Sequence, residues 1–241
     1  MATPTDLNLT ALQLGEINLQ GEFRWGSNYT FLVQVAYQGA EFNAVYKPTR
    51  GERPLWDFPS STLARREVAA YLVSEGLGWN LVPPTVYRRQ APIGSGSLQL
   101  YVEHDPEYHY FNFSQTDHQR LRPVALLDVL INNADRKGSH ILIGKDRHIW
   151  LIDHGVCFHV DDKLRTVIWD FAGEPLPGDL CADIDLFRKK LVLSSELAAS
   201  LKNFLSPGEI IAMAGRADRL LASGQFPNPS PSRRFQPWPP I

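Results

Sequence analysis

The chain has 241 residues, enough for one large domain or two small lobes with a sizeable buried core. Hydrophobic residues make up 44% and charged residues 21%, which is ordinary for a globular protein. The net charge of −2 argues against a general electrostatic attraction to nucleic acid or to an anionic membrane, so we expect no nucleic-acid partner.

The cysteines and the N-terminus limit the class of protein further. Two cysteines, Cys157 and Cys181, are too few for a disulfide framework and fit no metal spacing, so we expect reduced thiols. The N-terminal sequence MATPTDLNLT lacks the basic and apolar segments of a signal peptide. No apolar run approaches the roughly 18 residues that span a bilayer. We expect a cytoplasmic protein without a transmembrane segment.

Residues 29–47 have the pattern of a β-hairpin. The sequence QGAE supplies the predicted turn, and FNAVYK the returning strand. In the first strand, YTFLVQVAY, alternation predicts that four side chains share one face: Phe31, Val33, Val35 and Tyr37.

A helix is predicted over residues 61–75, STLARREVAAYLVSE. Serine and threonine at its start can cap it, and Gly76 and Gly78 are suited to end it. Glu67 flanks the apolar side rather than pointing straight into water. That side is formed by residues four apart: Ala64, Val68 and Leu72.

The remaining elements change from strand to helix along the chain. LVPPTVYRR and GSLQLYVEH predict two more strands, residues 118–133 predict a helix, and ILIG and HIWLI predict a short hairpin. Residues 183–223 are helical in pattern, whereas 226–241 contain six prolines and predict an extended tail. The order predicts an α+β fold, with a sheet-rich lobe followed by a helical lobe.

The short hairpin brings chemically active side chains together. If residues 141–143 pair with 149–152, His140 and Asp153 become neighbours, and Asp135 lies in the loop just before them. A carboxylate beside an imidazole can hold a divalent cation, and a separate acid can take a proton from an attacking hydroxyl. These are parts that phosphoryl transfer needs.

Phosphoryl transfer also needs a cation near the phosphates. Lys47 closes the second strand of the first hairpin, and Glu67 follows it on the helix. A lysine held by a helix glutamate aims its ammonium at nucleotide phosphates in kinase-like folds. We expect residues 21–28, with Gly21 and Gly26, to form a loop over these phosphates.

Several stretches together resemble a known family. DRKGSH (135–140) resembles the D-R-x-x-x-N catalytic loop of the phosphoinositide 3-/4-kinase superfamily, and IDHG (152–155) resembles its metal-binding D-F-G. With AVYKPTRGERPLWDFP, REVAAYLVSEGLGWNLVPPTV and LRTVIWDFAGEPLP, the chain is similar over roughly residues 15–220 to a bacterial branch described as phosphatidylinositol 3-/4-kinase-related.

The resemblance implies a two-lobed, protein-kinase-like fold with ATP and Mg²⁺ or Mn²⁺ in the cleft. Together with the pattern of elements, this predicts an N-lobe over 1–103, a C-lobe with the catalytic and metal loops over 104–225, and a tail over 226–241. The implied catalytic residues are Lys47, Glu67 and Asp135, and the implied metal ligands are Asp153 and His140. The implied nucleotide-binding residues are Lys47, Gly26, Ser27 and Asn28, with the backbone of a hinge at Tyr101, Val102 and Glu103.

Two histidines depart from the superfamily pattern. His140 stands where the second metal ligand is usually asparagine, and imidazole binds Mn²⁺ better than Mg²⁺. A hydrogen-bonded structural histidine remains the alternative at this position. His154 replaces the phenylalanine of D-F-G and changes the packing behind Asp153. A zinc site built from these groups and His159 matches no zinc motif.

We therefore expect an ATP- and metal-dependent phosphotransferase whose acceptor is a protein hydroxyl, a small molecule or an inositol lipid. The lipid ranks last because the helical lobe has no evident basic, amphipathic docking surface. Two alternatives keep the fold. One is a pseudokinase that binds nucleotide or acts as a scaffold, which His140 and His154 favour. The other transfers AMP instead of phosphate.

Overall fold

The structure, a computed structural model, describes residues 4–22, 28–192, 195–232 and 234–241. The N-terminal part contains two helices and a five-stranded antiparallel sheet with strand order β1-β2-β3-β5-β4. Its elements are α1 (Pro4–Leu14), β1 (Glu16–Glu22), β2 (Phe31–Tyr37), β3 (Ala40–Pro48), α2 (Leu63–Leu77), β4 (Thr85–Arg88) and β5 (Gly96–Leu100).

The C-terminal part is mainly helical around one short hairpin, β6–β7. Its elements are α3 (Gln115–Gln119), α4 (Arg122–Ile131), β6 (Ile141–Ile143), β7 (Ile149–Leu151), α5 (Gly178–Val192), α6 (Glu196–Leu201) and α7 (Pro207–Ser223). The predicted α+β order, sheet first and helices last, is confirmed.

The β2–β3 hairpin agrees with its sequence pattern. Val33 and Val35 are fully buried on one face of the sheet. The turn is tighter than predicted, because β3 already begins at Ala40. Gln38 and Gly39 both have positive φ angles, 50° and 81°, which suit a two-residue hairpin turn.

The sequence patterns did not predict α1 or β1. Leu12 of α1 is fully buried in the core of the sheet. β1 pairs with β2 across a register shift between Leu19 and Gly21. The prediction that the phosphate loop begins at Gly21 is wrong, since this glycine pairs with Leu32 inside the strand.

Helix α2 begins two residues later than predicted, and a distant residue caps it. The predicted serine or threonine cap is wrong, because Thr62 makes no side-chain capping hydrogen bond. The carboxylate of Glu52 instead accepts from the backbone N–H groups of Leu63 and Ala64, at 3.1 and 2.9 Å. A side chain eleven residues upstream therefore supplies acceptors for the helix start.

The end of α2 shows the separate roles of its two glycines. Gly78 ends the helix with φ of 76°, in the left-handed region that favours glycine. Gly76 lies inside the helix, where a Cβ atom would come within 2.6 Å of Leu197 Cδ2 in α6. This close approach explains a glycine at a helical position.

The core is divided into two clusters. The smaller lies on the sheet and includes Val33 and Leu98, and the larger fills the helical part and includes Leu126 and Phe187. Most buried apolar residues of α2 belong to the larger cluster, although the helix also contacts β4 and β5. We propose to place the boundary between the lobes near residue 103, just after β5.

The proline-rich tail contains no helix or strand in its described residues, as predicted. It begins with Phe226, which is buried against Phe171 with ring centroids 5.5 Å apart. Both cysteines are unpaired. Within the described ranges, no helix is long and apolar enough to cross a membrane.

Candidate active site

A cleft of about 470 Å³ is lined by side chains from the sheet, from α2 and from the β6–β7 hairpin. Most of the residues singled out from the sequence face it. They are Asn28, Lys47, Glu67, Tyr101, Val102, His140 and Asp153.

Lys47, on β3, lies between two carboxylates. Its Nζ is 2.5 Å from Glu67 Oε1 and 3.0 Å from Asp153 Oδ1. Burial acts to lower the pKa of Lys47, but Asp153 and Glu67 more than offset it, and the pKa is raised above its ordinary value. The ammonium therefore stays charged in the cleft.

Asp153 follows β7 in an uncommon backbone conformation. Its φ is 63°, in the left-handed region that few residues other than glycine adopt. Lys47 lowers the pKa of Asp153 well below its usual range, against the effect of burial. This carboxylate is ionised at any physiological pH and faces the cleft.

His140 reaches Asp153 through the pairing that the sequence predicted. Ile141 pairs with Leu151, so the residues flanking the hairpin meet, and His140 Nε2 lies 3.4 Å from Asp153 Oδ2. Burial lowers the pKa of His140 to about 4, so the ring is neutral at pH 7. Its Nδ1 is 3.5 Å from the backbone nitrogen of Lys137. At this distance the contact is weak, so either ring nitrogen can carry the proton.

Asp135 occupies the loop after α4 and is not among the described residues that line the cleft. Its backbone N–H donates to Asn133 Oδ1 at 2.9 Å, and Lys137 Nζ lies 3.8 Å from its carboxylate. Burial raises the pKa of Asp135 to about 6; Lys137 opposes this rise, whereas Asp153 adds to it. A carboxyl group with this pKa can accept a proton near neutral pH.

Glu67 links β3 to the loop that carries Asp153 and His154. While Oε1 holds Lys47, Oε2 accepts from the backbone N–H of His154 at 2.9 Å. The glutamate is 3% exposed, so both contacts lie in a water-poor setting where they are strong. The second contact, to the backbone beside Asp153, was not predicted.

A buried network centred on Arg136 lies behind the site. Arg136 and Asp128 are both fully buried, and Arg136 Nε donates to the two carboxylate oxygens of Asp128 at 3.0 and 3.2 Å. Nη1 donates to the carbonyl of Ile152 at 3.0 Å, and Nη2 contacts His154 Nε2 at 2.8 Å. The arginine thus ties the Asp135 loop to the Asp153 loop.

The predicted nucleotide-binding residues fall into three groups. Asn28, Tyr101 and Val102 line the cleft. The side chain of Glu103 instead pairs with Lys145 on the surface. Gly26 and Ser27 lie outside the described residues.

The donors present can serve a divalent cation, but not a closed zinc site. In the part of the chain that the structure describes, no three His, Cys, Asp or Glu side chains are grouped as metal ligands, which leaves the zinc hypothesis without support. Asp153 offers a carboxylate oxygen, and neutral His140 offers a nitrogen when its proton is on Nδ1. Such a pair suits a cation that takes its other ligands from phosphate and water.

Comparison with known proteins identifies relatives. No protein-family model matches the chain. It is 31% identical over 142 residues to phosphatidylinositol 4-kinase gamma 4 of Oryza sativa subsp. japonica, and 30% identical over 140 residues to that of Arabidopsis thaliana. These matches span 50% and 46% of the chain, and 25% of each relative.

Solved structures with the kinase fold are similar at low sequence identity. The Golgi casein kinase with Mn/ADP bound matches with a TM-score of 0.59 and 16% identity, over 90% of this chain and 74% of the other. Hydra Fam20 matches with 0.55 and 14%, over 92% and 89%. The Helicobacter pylori kinase CtkA matches with 0.53 and 11%, over 89% and 94%. These likenesses show the fold, and the predicted two-lobed kinase architecture is confirmed.

A bacterial relative covers nearly the whole chain. Protein Rv2133c of Mycobacterium tuberculosis is 40% identical over 260 aligned positions, which span 93% of this chain and 92% of the relative. The protein therefore belongs to the family of Protein Rv2133c, a bacterial family with the kinase fold.

Proposed function

We propose that this protein is an ATP- and divalent-metal-dependent phosphotransferase of the phosphatidylinositol 3-/4-kinase-related class. One observation carries the proposal. Lys47, Glu67 and Asp153 come from three separate elements, yet the lysine contacts both carboxylates inside one cleft that His140 also lines. A cation and acids gathered in this way match the needs of a bound triphosphate.

Each residue has a distinct role in the proposed transfer. Lys47, held by Glu67, stabilises charge on the nucleotide phosphates. Asp135 accepts the proton of the acceptor hydroxyl. That hydroxyl oxygen forms a bond to the γ-phosphorus, while the bond from the γ-phosphorus to the β,γ-bridging oxygen breaks. ADP leaves with the bridging oxygen, and the products are a phosphate ester and ADP.

Asp153 and His140 would hold the divalent cation, which neutralises phosphate charge when it is bound. Asn28, Tyr101 and Val102 would contact the nucleotide from the sheet side of the cleft, together with Gly26, Ser27 and the backbone of Glu103. The Golgi casein kinase, whose structure holds Mn and ADP, supports both the nucleotide and the metal. The plant phosphatidylinositol 4-kinases support the class of reaction. The acceptor is a protein hydroxyl, a small molecule or an inositol lipid.

A transfer assay with two labels tests this proposal. The full-length protein is incubated with Mn²⁺ and ATP labelled at either the γ- or the α-phosphate, with protein, small-molecule and lipid acceptors. Transfer of the γ label that is lost in Asp135→Asn supports the proposal. Transfer of the α label instead identifies an AMP transferase and rejects a kinase.

The pseudokinase remains the second candidate because of one observation. His140 stands where the superfamily uses an amide ligand, and its imidazole is a poorer ligand for Mg²⁺. Nucleotide binding without transfer of either label, with Mg²⁺ and with Mn²⁺, would favour this candidate over the enzyme.

A further inference from the structure

The C-terminal segment 234–241, RFQPWPPI, lies against the loop that carries Asp135. The backbone N–H of Gly138 donates to the carbonyl oxygen of Pro240 at 2.8 Å. The backbone N–H of Thr166 donates to the carbonyl oxygen of Phe235 at 3.1 Å, and Trp169 Nε1 approaches the same oxygen at 3.3 Å. Three donors from the body of the protein thus hold the main chain of the segment.

These donors belong to the catalytic loop and to a strand-like segment paired with it. Arg136 and Thr166 form a parallel bridge, and the N–H of Val167 donates to the carbonyl of Arg136 at 3.2 Å. Gly138 is three residues after Asp135. The tail is therefore bonded to the loop that carries Asp135, the residue that would receive the acceptor proton.

The catalytic loop approaches its neighbours closely here. A Cβ atom on Gly138 would lie 2.8 Å from Phe111 Cε2, so the glycine allows this ring to lie against the loop. Phe111 is 50% exposed, which leaves part of an aromatic surface beside the segment-binding donors.

Two side chains of the tail add to the main-chain contacts. The Phe235 ring meets the Trp169 ring edge to face, with centroids 5.9 Å apart, and Pro237 is buried. Trp238 is instead 76% exposed. Main-chain hydrogen bonds with alternate side chains in contact are how folded domains bind extended peptides.

The sequence of this segment has a chemical peculiarity. RFQPWPPI contains no serine, threonine or tyrosine, so none of its side chains offers a hydroxyl as a phosphoryl acceptor. The N–H donors of Gly138 and Thr166 contact backbone only, and they would serve any extended peptide equally well.

We propose that the surface formed by Gly138, Thr166 and Trp169 is the site where the phosphoryl acceptor binds. The acceptor is a hydroxyl-bearing peptide segment in extended conformation. Residues 234–241 are a resident segment, which the acceptor displaces. This proposal rests on the proposed function. It selects a protein hydroxyl among the three acceptor classes. The peptide hydroxyl oxygen forms the bond to the γ-phosphorus as the bond to the β,γ-bridging oxygen breaks, and Asp135 accepts the hydroxyl proton.

A binding experiment tests the surface without any need for catalysis. In the full-length protein, Phe235→Ala removes the ring that meets Trp169, whereas Trp238→Ala changes an exposed ring of the same tail. We expect a fluorescein-labelled RFQPWPPI peptide to bind Phe235→Ala at least tenfold more tightly than wild type or Trp238→Ala, measured by fluorescence anisotropy. Equal binding to all three proteins would overturn the proposal.

A second experiment tests the acceptor role. Pro239→Ser, Pro240→Ser and Ile241→Ser each place a hydroxyl in the resident segment, and the matched alanine variants do not. With Mn²⁺ and γ-labelled ATP, we expect at least one serine variant to be phosphorylated at the new residue, at a rate independent of protein concentration. Mass spectrometry identifies the site.

The two experiments separate failure of this inference from failure of the proposed function. If the peptide binds but no acceptor of any class is labelled, the proposed function fails and the acceptor role fails with it. If phosphatidylinositol vesicles are labelled by the same preparations while every serine variant stays unlabelled, the enzyme is a kinase and the peptide proposal is overturned.

Discussion

Lys47 stays protonated because the carboxylates of Glu67 and Asp153 lie beside its ammonium group inside the cleft. We predict that Lys47→Met lowers phosphoryl transfer by about 100-fold or more, since the group that stabilises phosphate charge is lost. Lys189→Met is the matched control, because Lys189 is exposed on α5, where it pairs with Asp185 across one helical turn. The measurement is the initial rate of γ-label transfer, with thermal unfolding to check that both variants fold. Equal rates for the two variants would exclude Lys47 from the reaction.

The pKa of Asp135, raised to about 6 mainly by burial, predicts the pH dependence of the reaction. The carboxylate accepts a proton only when it is ionised. The rate should therefore be half-maximal near pH 6, constant well above it, and fall about tenfold for each unit well below it. The test is kcat/KM between pH 4.5 and 8.5 for wild type and for Asp135→Asn. The variant should be slow, and its rate should not fall at low pH in this way. If the same fall persists in the variant, a group other than Asp135 causes it.

His140 offers a nitrogen where the superfamily offers an amide oxygen. We predict that His140→Asn lowers the ratio of the Mn²⁺-supported rate to the Mg²⁺-supported rate by about tenfold, since Mg²⁺ prefers oxygen ligands. His148→Asn is a suitable control because His148 lies on the surface and contacts the carbonyl of Asn80. An unchanged metal ratio would leave His140 as a structural neighbour of Asp153.

At the scale of elements, α2 positions Glu67, and its start depends on Glu52. The carboxylate of Glu52 accepts from two N–H groups that would otherwise lack partners at the helix terminus. We predict that Glu52→Ala lowers the free energy of unfolding by about 1 kcal/mol, as loss of a helix cap does. Urea denaturation measures this, with Glu41→Ala, an exposed residue bonded to Gln34, as the control. A cost no larger than that of the control would mean that water replaces the cap.

The β2–β3 hairpin, α2 and the β6–β7 hairpin could be predicted because each depends on a pattern within a few residues. Alternation marked Val33 and Val35, and a pair of short apolar runs placed His140 beside Asp153. The proposed role of Lys47 needed the family resemblance as well, because a lysine at a strand end is usually only a solvated charge.

Contacts between distant segments had no such local signal. Arg66 is adjacent to Glu67 in the sequence, and no local pattern distinguishes it from a surface charge, yet it is 2% exposed and pairs with Glu209 in α7. Asp128 is an acid inside an apolar helix, and only the fold brings Arg136 to it. The contact of Pro240 with Gly138 joins residues about a hundred positions apart, which no periodicity reveals.

At the scale of the whole molecule, the cleft takes side chains from both parts of the chain, so a ligand in it should stabilise both. At a free concentration of Mn²⁺–ATP about 100 times its Kd, binding adds about 2.7 kcal/mol. For a protein of this size we predict a rise in Tm of about 5–10 °C. Differential scanning fluorimetry measures it, and Asp153→Ala should lose most of the shift. The same rise in Asp153→Ala would place the ligand elsewhere.

The double contact of Lys47 has a consequence for the order of loading. One ammonium lies between two carboxylates, so a cation that binds Asp153 alone has to compete with Lys47 for that carboxylate. A polyanion entering at the same time would give the lysine a new counter-charge and free the aspartate. In the proposed reaction, the cation and the nucleotide would therefore enter the cleft together more readily than the cation alone.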